Sequence, residues 1–266
     1  MKIIDEAADQ SLLCIDYDFE DDYPLHRELS RGRFRPGISE KEWWRYHNIH
    51  LGLRTLVAYD GPRPVGHIEF MPIEYAPFPV IGENLMMIHC MLVAKHARGR
   101  GFGWGLLEAV EEEARATSDG VAVFAGRSTS FMPAGFFAHC GYRAADRSNY
   151  DWLLYKPLRD IPPPELLPMR PRSWGKNDRL NVAFFYCPQC PISGWALERI
   201  RSQLKKRRDR IDLQVFRLDS RSKIEHYGLA RGVFIEGQQV GGFPPDPDFV
   251  LQQVALVSRE KDLGAA

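Results

Sequence analysis

The sequence predicts an α/β protein of two units joined by a proline-rich segment. Three observations carry that reading. Residues 91–107, MLVAKHARGRGFGWGLL, pass from an apolar stretch of β character through a basic, glycine-dense loop straight into a helix. Residues 157–174 hold six prolines in eighteen positions. Proline fixes φ and removes N–H donors, so a semi-rigid extended connector is expected there rather than a helix or central strand. Beyond it, residues 180–186, LNVAFFY, read as a buried strand that ends in Cys187-Pro188-Gln189-Cys190 and a helix.

Composition narrows the function classes. Thirty-five basic and thirty-five acidic residues balance, which argues against a general nucleic-acid or membrane-surface role. No apolar run approaches the ~18 residues of a membrane span. The opening MKIIDEAADQS lacks the apolar core of a signal peptide. Five cysteines, an odd and low count, suit reduced thiols in a cytoplasm better than a disulfide framework. A cytoplasmic protein with a small-molecule partner is expected, and its oligomeric state stays open.

The elements follow in order. Ser39 with Glu42 forms a capping-box pattern, so residues 38–51 are expected to be helical, with Trp43, Trp44 and His47 near one side. Residues 55–59, the turn Asp60-Gly61-Pro62 and residues 65–73 read as a hairpin. In the next strand, alternation puts Met87, His89 and Met91 on one face. The loop after it carries Gly99, Gly101, Gly103 and Gly105, which strip side chains away and let backbone N–H groups approach a ligand. The helix that follows adds unpaired N–H groups and partial positive charge, and Arg98 and Arg100 add formal charge. A phosphate or pyrophosphate suits such a site. No Lys-Ser or Lys-Thr follows the glycines, so this is not a Walker loop, and the glycine spacing is not that of a dinucleotide fingerprint. Residues 121–125 read as a buried strand, and Gly141 as the stop of a short helix. The acidic run at 18–22, DFEDD, is either a solvated loop or an attractor for a cationic amine.

Arg98, Gly101 and Gly103 spell Arg-x-x-Gly-x-Gly just after Val93, and residues 136–142 read FFAHCGY. Together they resemble the acyl-CoA motif and the short helix of the GNAT family of acyl-CoA N-acyltransferases. The resemblance covers residues 1–156. It implies a mixed, mostly antiparallel sheet flanked by helices. It also implies acetyl-CoA or another short acyl-CoA as co-substrate, a primary amine of a small molecule as acceptor, and no metal. By position, Met91, Leu92 and Val93 would hold the pantetheine arm, and Arg98, Gly99, Arg100, Gly101, Phe102 and Gly103 the pyrophosphate. The family often places a tyrosine in the short helix to protonate the leaving thiolate; Phe137 stands there instead. Two residues are candidates for proton removal from the amine. His89 lies on the central strand, and an unperturbed imidazole titrates near neutrality. Glu69 lies on the preceding strand and would face the same cleft.

Residues 177–266 read β-α-β-α-β-β-α, with the Cys-x-x-Cys at the first strand-to-helix junction, after a linker at 157–176. This looks like a thioredoxin-like domain, and the pairing resembles the YoaP-like acyltransferases. A helix N-terminus stabilises a thiolate, which makes Cys187 and Cys190 candidate redox residues. Against that, residues 228–232, GLARG, contain no proline facing the thiols, and Pro191 delays the helix. A zinc site needs two further ligands, and His226 is the only histidine of this unit. The competing function is therefore a thiol-disulfide or metal-binding protein whose first unit only senses acyl-CoA.

Overall fold

The structure is a computed structural model that describes residues 1–5, 35–126, 132–170, 179–207, 209–242 and 245–264. The acidic run at 18–22 lies outside the described residues, as do 171–178 at the end of the proline-rich segment. The N-terminal unit comprises β1 (Lys2–Asp5), α1 (Arg35–Asn48), β2 (Arg54–Asp60), β3 (Arg63–Pro72), β4 (Val80–Ile81) and β5 (Leu85–Val93). It continues with α2 (Phe102–Thr117), β6 (Gly120–Gly126), α3 (Ala134–His139), β7 (Arg143–Arg147) and β8 (Asp151–Pro157). Seven of these strands form one sheet in the order β1-β2-β3-β5-β6-β8-β7. Only β5 and β6 run parallel, so the sheet is mixed and mostly antiparallel.

Each face of this sheet has its own core. On one face, α2 lays down Leu106, Leu107, Val110 and Ala114, a helical stripe that covers Ile68, Ile88 and Val123. Phe137 of α3 belongs to the same layer. On the other face, Trp44 of α1 packs with Met71, Met87, Phe78 and Phe124. Helix α1 begins at Arg35, earlier than the Ser39–Glu42 capping pattern suggests. Pro36 explains the difference, because proline is well tolerated in a first helical turn, where its missing N–H costs nothing. Trp43 and Trp44 point apart rather than sharing a side. Trp44 is fully buried, while Trp43 is half-exposed, with His47 stacked on it at 4.1 Å between ring centroids. Consecutive helical residues differ by roughly 100°, which drives them to different surfaces.

The described part of the proline-rich segment, residues 158–170, contains no helix. It contributes β9 (Glu165–Leu166), which pairs with β4, and Leu167 then packs into the second unit. That unit comprises β10 (Leu180–Tyr186), α4 (Pro191–Leu204), β11 (Ile211–Arg217), α5 (Arg221–Tyr227), β12 (Gly232–Ile235), β13 (Gln238–Gln239) and α6 (Pro247–Gly264). Its sheet runs β11-β10-β12-β13, with β10 and β11 parallel and the rest antiparallel. Glu236 and Gly237 both take positive φ, +47° and +82°, the conformation a two-residue hairpin demands. Asp246 caps α6 by accepting from the Asp248 N–H at 2.9 Å. Helices α4 and α6 cover one face of the sheet and α5 the other.

The two units meet along α1. Gly37 of α1 and Gly194 of α4 face each other so closely that a Cβ on Gly194 would lie 3.1 Å from the Gly37 Cα. Around this crossing, the Tyr186 hydroxyl donates to Glu40 at 3.2 Å, and Arg217 stacks over Trp43 at 4.5 Å. Arg221 donates to the Val80 carbonyl at 2.6 Å. No helix among the described residues is long and apolar enough to cross a membrane.

Candidate active site

The parallel strands β5 and β6 separate at one end. Their register runs from Leu85↔Gly120 to Ile88↔Val123 and stops there, although β5 continues to Val93 and β6 to Gly126. The cause lies on β5. Phe70 pairs with Ile88 and Glu69 with Cys90, so His89 is an extra residue in the ladder. Such a bulge bends its strand and re-aims the side chains beyond it. The bulge also overturns the simple alternation. Met87 packs with Trp44, and the His89 ring lies 5.8 Å from Trp44 and 5.3 Å from Phe78. Met91 sits instead in the opposite layer with Phe102 and Leu106. Met91, Leu92 and Val93 thus form the stretch of β5 that lies beyond its pairing with β6.

The glycine loop closes this end. Gly99 and Gly101 take φ of +73° and +86°, and Gly101 is the N-cap of α2. Nothing lies within 4 Å of where a Cβ would stand on either residue, so the loop surface is open backbone. Gly103 is different: a Cβ there would lie 3.2 Å from the Met91 side chain and 3.3 Å from the Phe136 ring. Its missing side chain lets α2 approach β5. Arg98 donates from Nε to the Val93 carbonyl at 3.0 Å and ties the loop to the strand end. Arg100 pairs with Asp60 at 2.7 Å and lies over the buried Phe102 ring at 5.3 Å. That hydrogen bond is the main reason the Asp60 carboxyl titrates below its ordinary range. The first turn of α2 supplies the backbone N–H groups and partial charge that an anion needs.

Beside the bulge lies a buried polar cluster. Glu69 is 1% exposed and His89 3%. The Glu69 Oε1 lies 3.3 Å from the Lys41 Nζ and 3.9 Å from the Arg45 Nε, both cations reaching down from α1. Its Oε2 accepts from the Gln189 Nε2 at 3.1 Å. Neither ring nitrogen of His89 has a hydrogen-bond partner among the described residues. Burial pushes the His89 imidazole down to about 4, with the Glu69 charge acting upward and the Lys41 charge downward. His89 is therefore neutral near pH 7 and a weaker base than an ordinary histidine. Lys41, Arg45 and Gln189 were not found by sequence reasoning. The Lys41–Arg45 spacing of four does place two cations on one helix face, which was an available signal; Gln189 gave none.

Cys187 is placed differently from the thiol that the Cys-x-x-Cys motif leads one to expect at a helix start. Cys190, not Cys187, is the N-cap of α4, so Cys187 stands three residues before the N-cap. Cys187 is buried, and desolvation pushes its thiol up to about 12. The helix terminus therefore does not make Cys187 the ready nucleophile expected from the motif. With Phe78, Gln189 and Arg231, the two cysteines line a cavity of about 10 Å³, roughly one water in size. No group of three or more His, Cys, Asp or Glu side chains among the described residues is arranged to hold a metal. Phe137 is fully buried against Tyr142 and has no hydroxyl to offer a leaving group.

The separated parallel strands, the open glycine loop and the helix start behind it lie at one end of the sheet, and the comparisons with known proteins support an acyltransferase. Residues 18–142 match the model of the Acetyltransferase (GNAT) family. The chain is also 24% identical over 207 residues to the uncharacterized N-acetyltransferase YoaP of Bacillus subtilis, covering 74% of this chain and 78% of that one. Among solved structures, PaiA N-acetyltransferase from Thermoplasma acidophilum in complex with coenzyme A is similar at 16% identity and a TM-score of 0.44, over 59% of this chain and 99% of that one. The ribosomal-protein-alanine N-acetyltransferase of Brucella melitensis is similar at 21% identity and a TM-score of 0.42, over 59% of this chain and 100% of that one.

Proposed function

We propose that the protein transfers an acetyl or other short acyl group from acyl-CoA to a primary amine of a small molecule. The observation that carries this reading is the separation of β5 from β6 after Ile88↔Val123, next to a glycine loop whose surface is bare backbone. In this reading, peptide groups of Met91, Leu92 and Val93 on the edge of β5 that β6 leaves pair with the amide-bearing pantetheine arm. The pyrophosphate lies on the loop from Arg98 to Gly103, held by backbone N–H groups at the start of α2. Arg100 would then exchange Asp60 for the phosphates.

The amine nitrogen attacks the thioester carbonyl carbon, and the carbon–sulfur bond breaks as the amide forms. The nitrogen loses a proton, and the CoA thiolate gains one. His89 and Glu69 are the groups in this reading that receive the amine's proton. A neutral imidazole accepts it as the nitrogen becomes cationic, and the neighbouring carboxylate stabilises the resulting imidazolium. A thiolate is a fair leaving group, so the phenylalanine at 137 is compatible with turnover. The C-terminal unit is read as a thioredoxin-like domain in a structural role, because its Cys187 is buried and hard to ionise. The assignment to the cytoplasm rests on composition alone.

Native mass spectrometry with acetyl-CoA tests the reading. Folded protein is expected to carry one CoA-sized adduct that disappears in Gly101→Glu. Incubation with spermidine, L-lysine and kanamycin then reports an acetylated product. Folded protein that neither retains acetyl-CoA nor acetylates any amine defeats the proposal.

A further inference from the structure

We infer that Gln189, on the loop between the two cysteines of the C-terminal unit, positions the Glu69 carboxylate for acyl transfer. This rests on the reading of Glu69 as a proton-handling group. Both carboxylate oxygens are engaged. Oε1 faces the cations Lys41 and Arg45, and Oε2 receives the Gln189 amide at 3.1 Å. A carboxylate only accepts, so the amide must present its NH₂ group, which fixes the orientation of the Gln189 side chain. That side chain is buried, and its loop is closed by a bond from the Cys190 N–H to the Cys187 carbonyl at 3.2 Å.

A neutral donor weakens the carboxylate as a base less than a third cation would. Every further positive charge beside Glu69 would stabilise the carboxylate and weaken it as a base. An amide fixes the plane of the carboxylate without adding a third cation. The glycine crossing of α1 and α4 supports the arrangement. It sets the start of α4, with Gln189 just before it, against the helix that carries Lys41 and Arg45. The similarity to YoaP runs over 207 residues, longer than residues 1–156, and so extends beyond the acyltransferase unit.

Among the described residues, the titratable and charged groups around Glu69 include Lys41 and Arg45 on α1, His67 on β3, His89 and Cys90 on β5, and Cys187 and Cys190 on the loop that carries Gln189. All of them remain in Gln189→Leu, so a change in Glu69 titration reports the lost amide.

The full chain is labelled with ¹³C at glutamate side-chain carboxyls, and the Glu69 signal is assigned by its absence in Glu69→Gln. In Gln189→Leu the titration of that signal is expected to rise, as for a carboxylate losing a hydrogen bond to its charged form. The acid limb of the kcat profile is expected to move with it, while the acetyl-CoA KM changes by less than about twofold. Gln189→Asn keeps an amide but shortens its reach, and it gives the same displacement if Leu fails to fold. A Glu69 signal that does not move in either variant overturns the inference, whatever happens to the rate. If the signal moves but Glu69→Gln keeps the wild-type rate and pH profile, Glu69 has no part in transfer. That result removes the function proposed for Gln189 and leaves the contact itself standing.

Discussion

His89 and Cys187 are both buried groups whose ionisation is set mainly by the water they have lost. For His89 this has a consequence for stability. Its imidazole titrates at about 4 in the fold and near 6.5 when unfolded. Between those values the unfolded chain binds a proton that the native state refuses, so stability falls as pH drops through that window. The full contribution is present above about 6.5, and about 3 kcal/mol of it is lost by pH 4. Urea denaturation of wild type and His89→Gln from pH 7.5 to pH 4 checks this; the variant should lose less stability over that range, and parallel curves would refute it. For Cys187, burial predicts slow native-state alkylation at pH 8 compared with the half-buried Cys190, with the difference abolished in denaturant. Equal native labelling rates would contradict the burial argument. Both residues stand out in the sequence for their chemistry. Their environments do not, because Trp44 and Phe78 around His89 come from a separate helix and a loop outside its strand.

At the scale of elements, the loop and helix from Arg98 to Thr117 were legible because their chemistry is local. Glycine spacing, an apolar strand before and a helical stripe after are all contiguous in sequence. The neighbouring strand was only half legible. Alternation along residues 85–93 has a period of two, and one extra residue at His89 shifts everything beyond it to the other face. No residue in the run marks the bulge, which exists only relative to β3. The positive φ at Gly101 gives a clean prediction, because a Cβ there would meet nothing within 4 Å. Gly101→Ala is expected to cost only the backbone strain, about 1 kcal/mol, read as a fall of a few degrees in Tm. Acetyl-CoA affinity, measured calorimetrically, should fall modestly in Gly101→Ala and beyond detection in Gly101→Glu. Equal affinity in all three proteins would remove the pyrophosphate from this loop.

At the scale of the molecule, the proline-rich segment marks a boundary between two units, and the structure joins them across it. Leu167 enters the second core, β9 pairs with β4, and Gln189 reaches the Glu69 cluster. A segment's composition reports its stiffness, but it carries no signal for which surfaces meet across it. Such a signal exists only in retrospect, as two unremarkable glycines at 37 and 194. A Cβ on Gly37 would lie 2.7 Å from the Pro191 carbonyl oxygen, which is backbone and has little freedom to withdraw. Gly37→Val should therefore push α1 and α4 apart, costing about 1–3 kcal/mol as overpacking does. Gly194→Ala, with its nearest contact at 3.1 Å, should cost less. Because α1 also carries Lys41 and Arg45, the wedge acts on the Glu69 cluster but leaves the glycine loop untouched. Calorimetry should show the transition of the second unit separating from that of the first. Turnover should fall in Gly37→Val while acetyl-CoA affinity is retained. A single unshifted transition with full activity would mean that the two units neither stabilise nor orient one another.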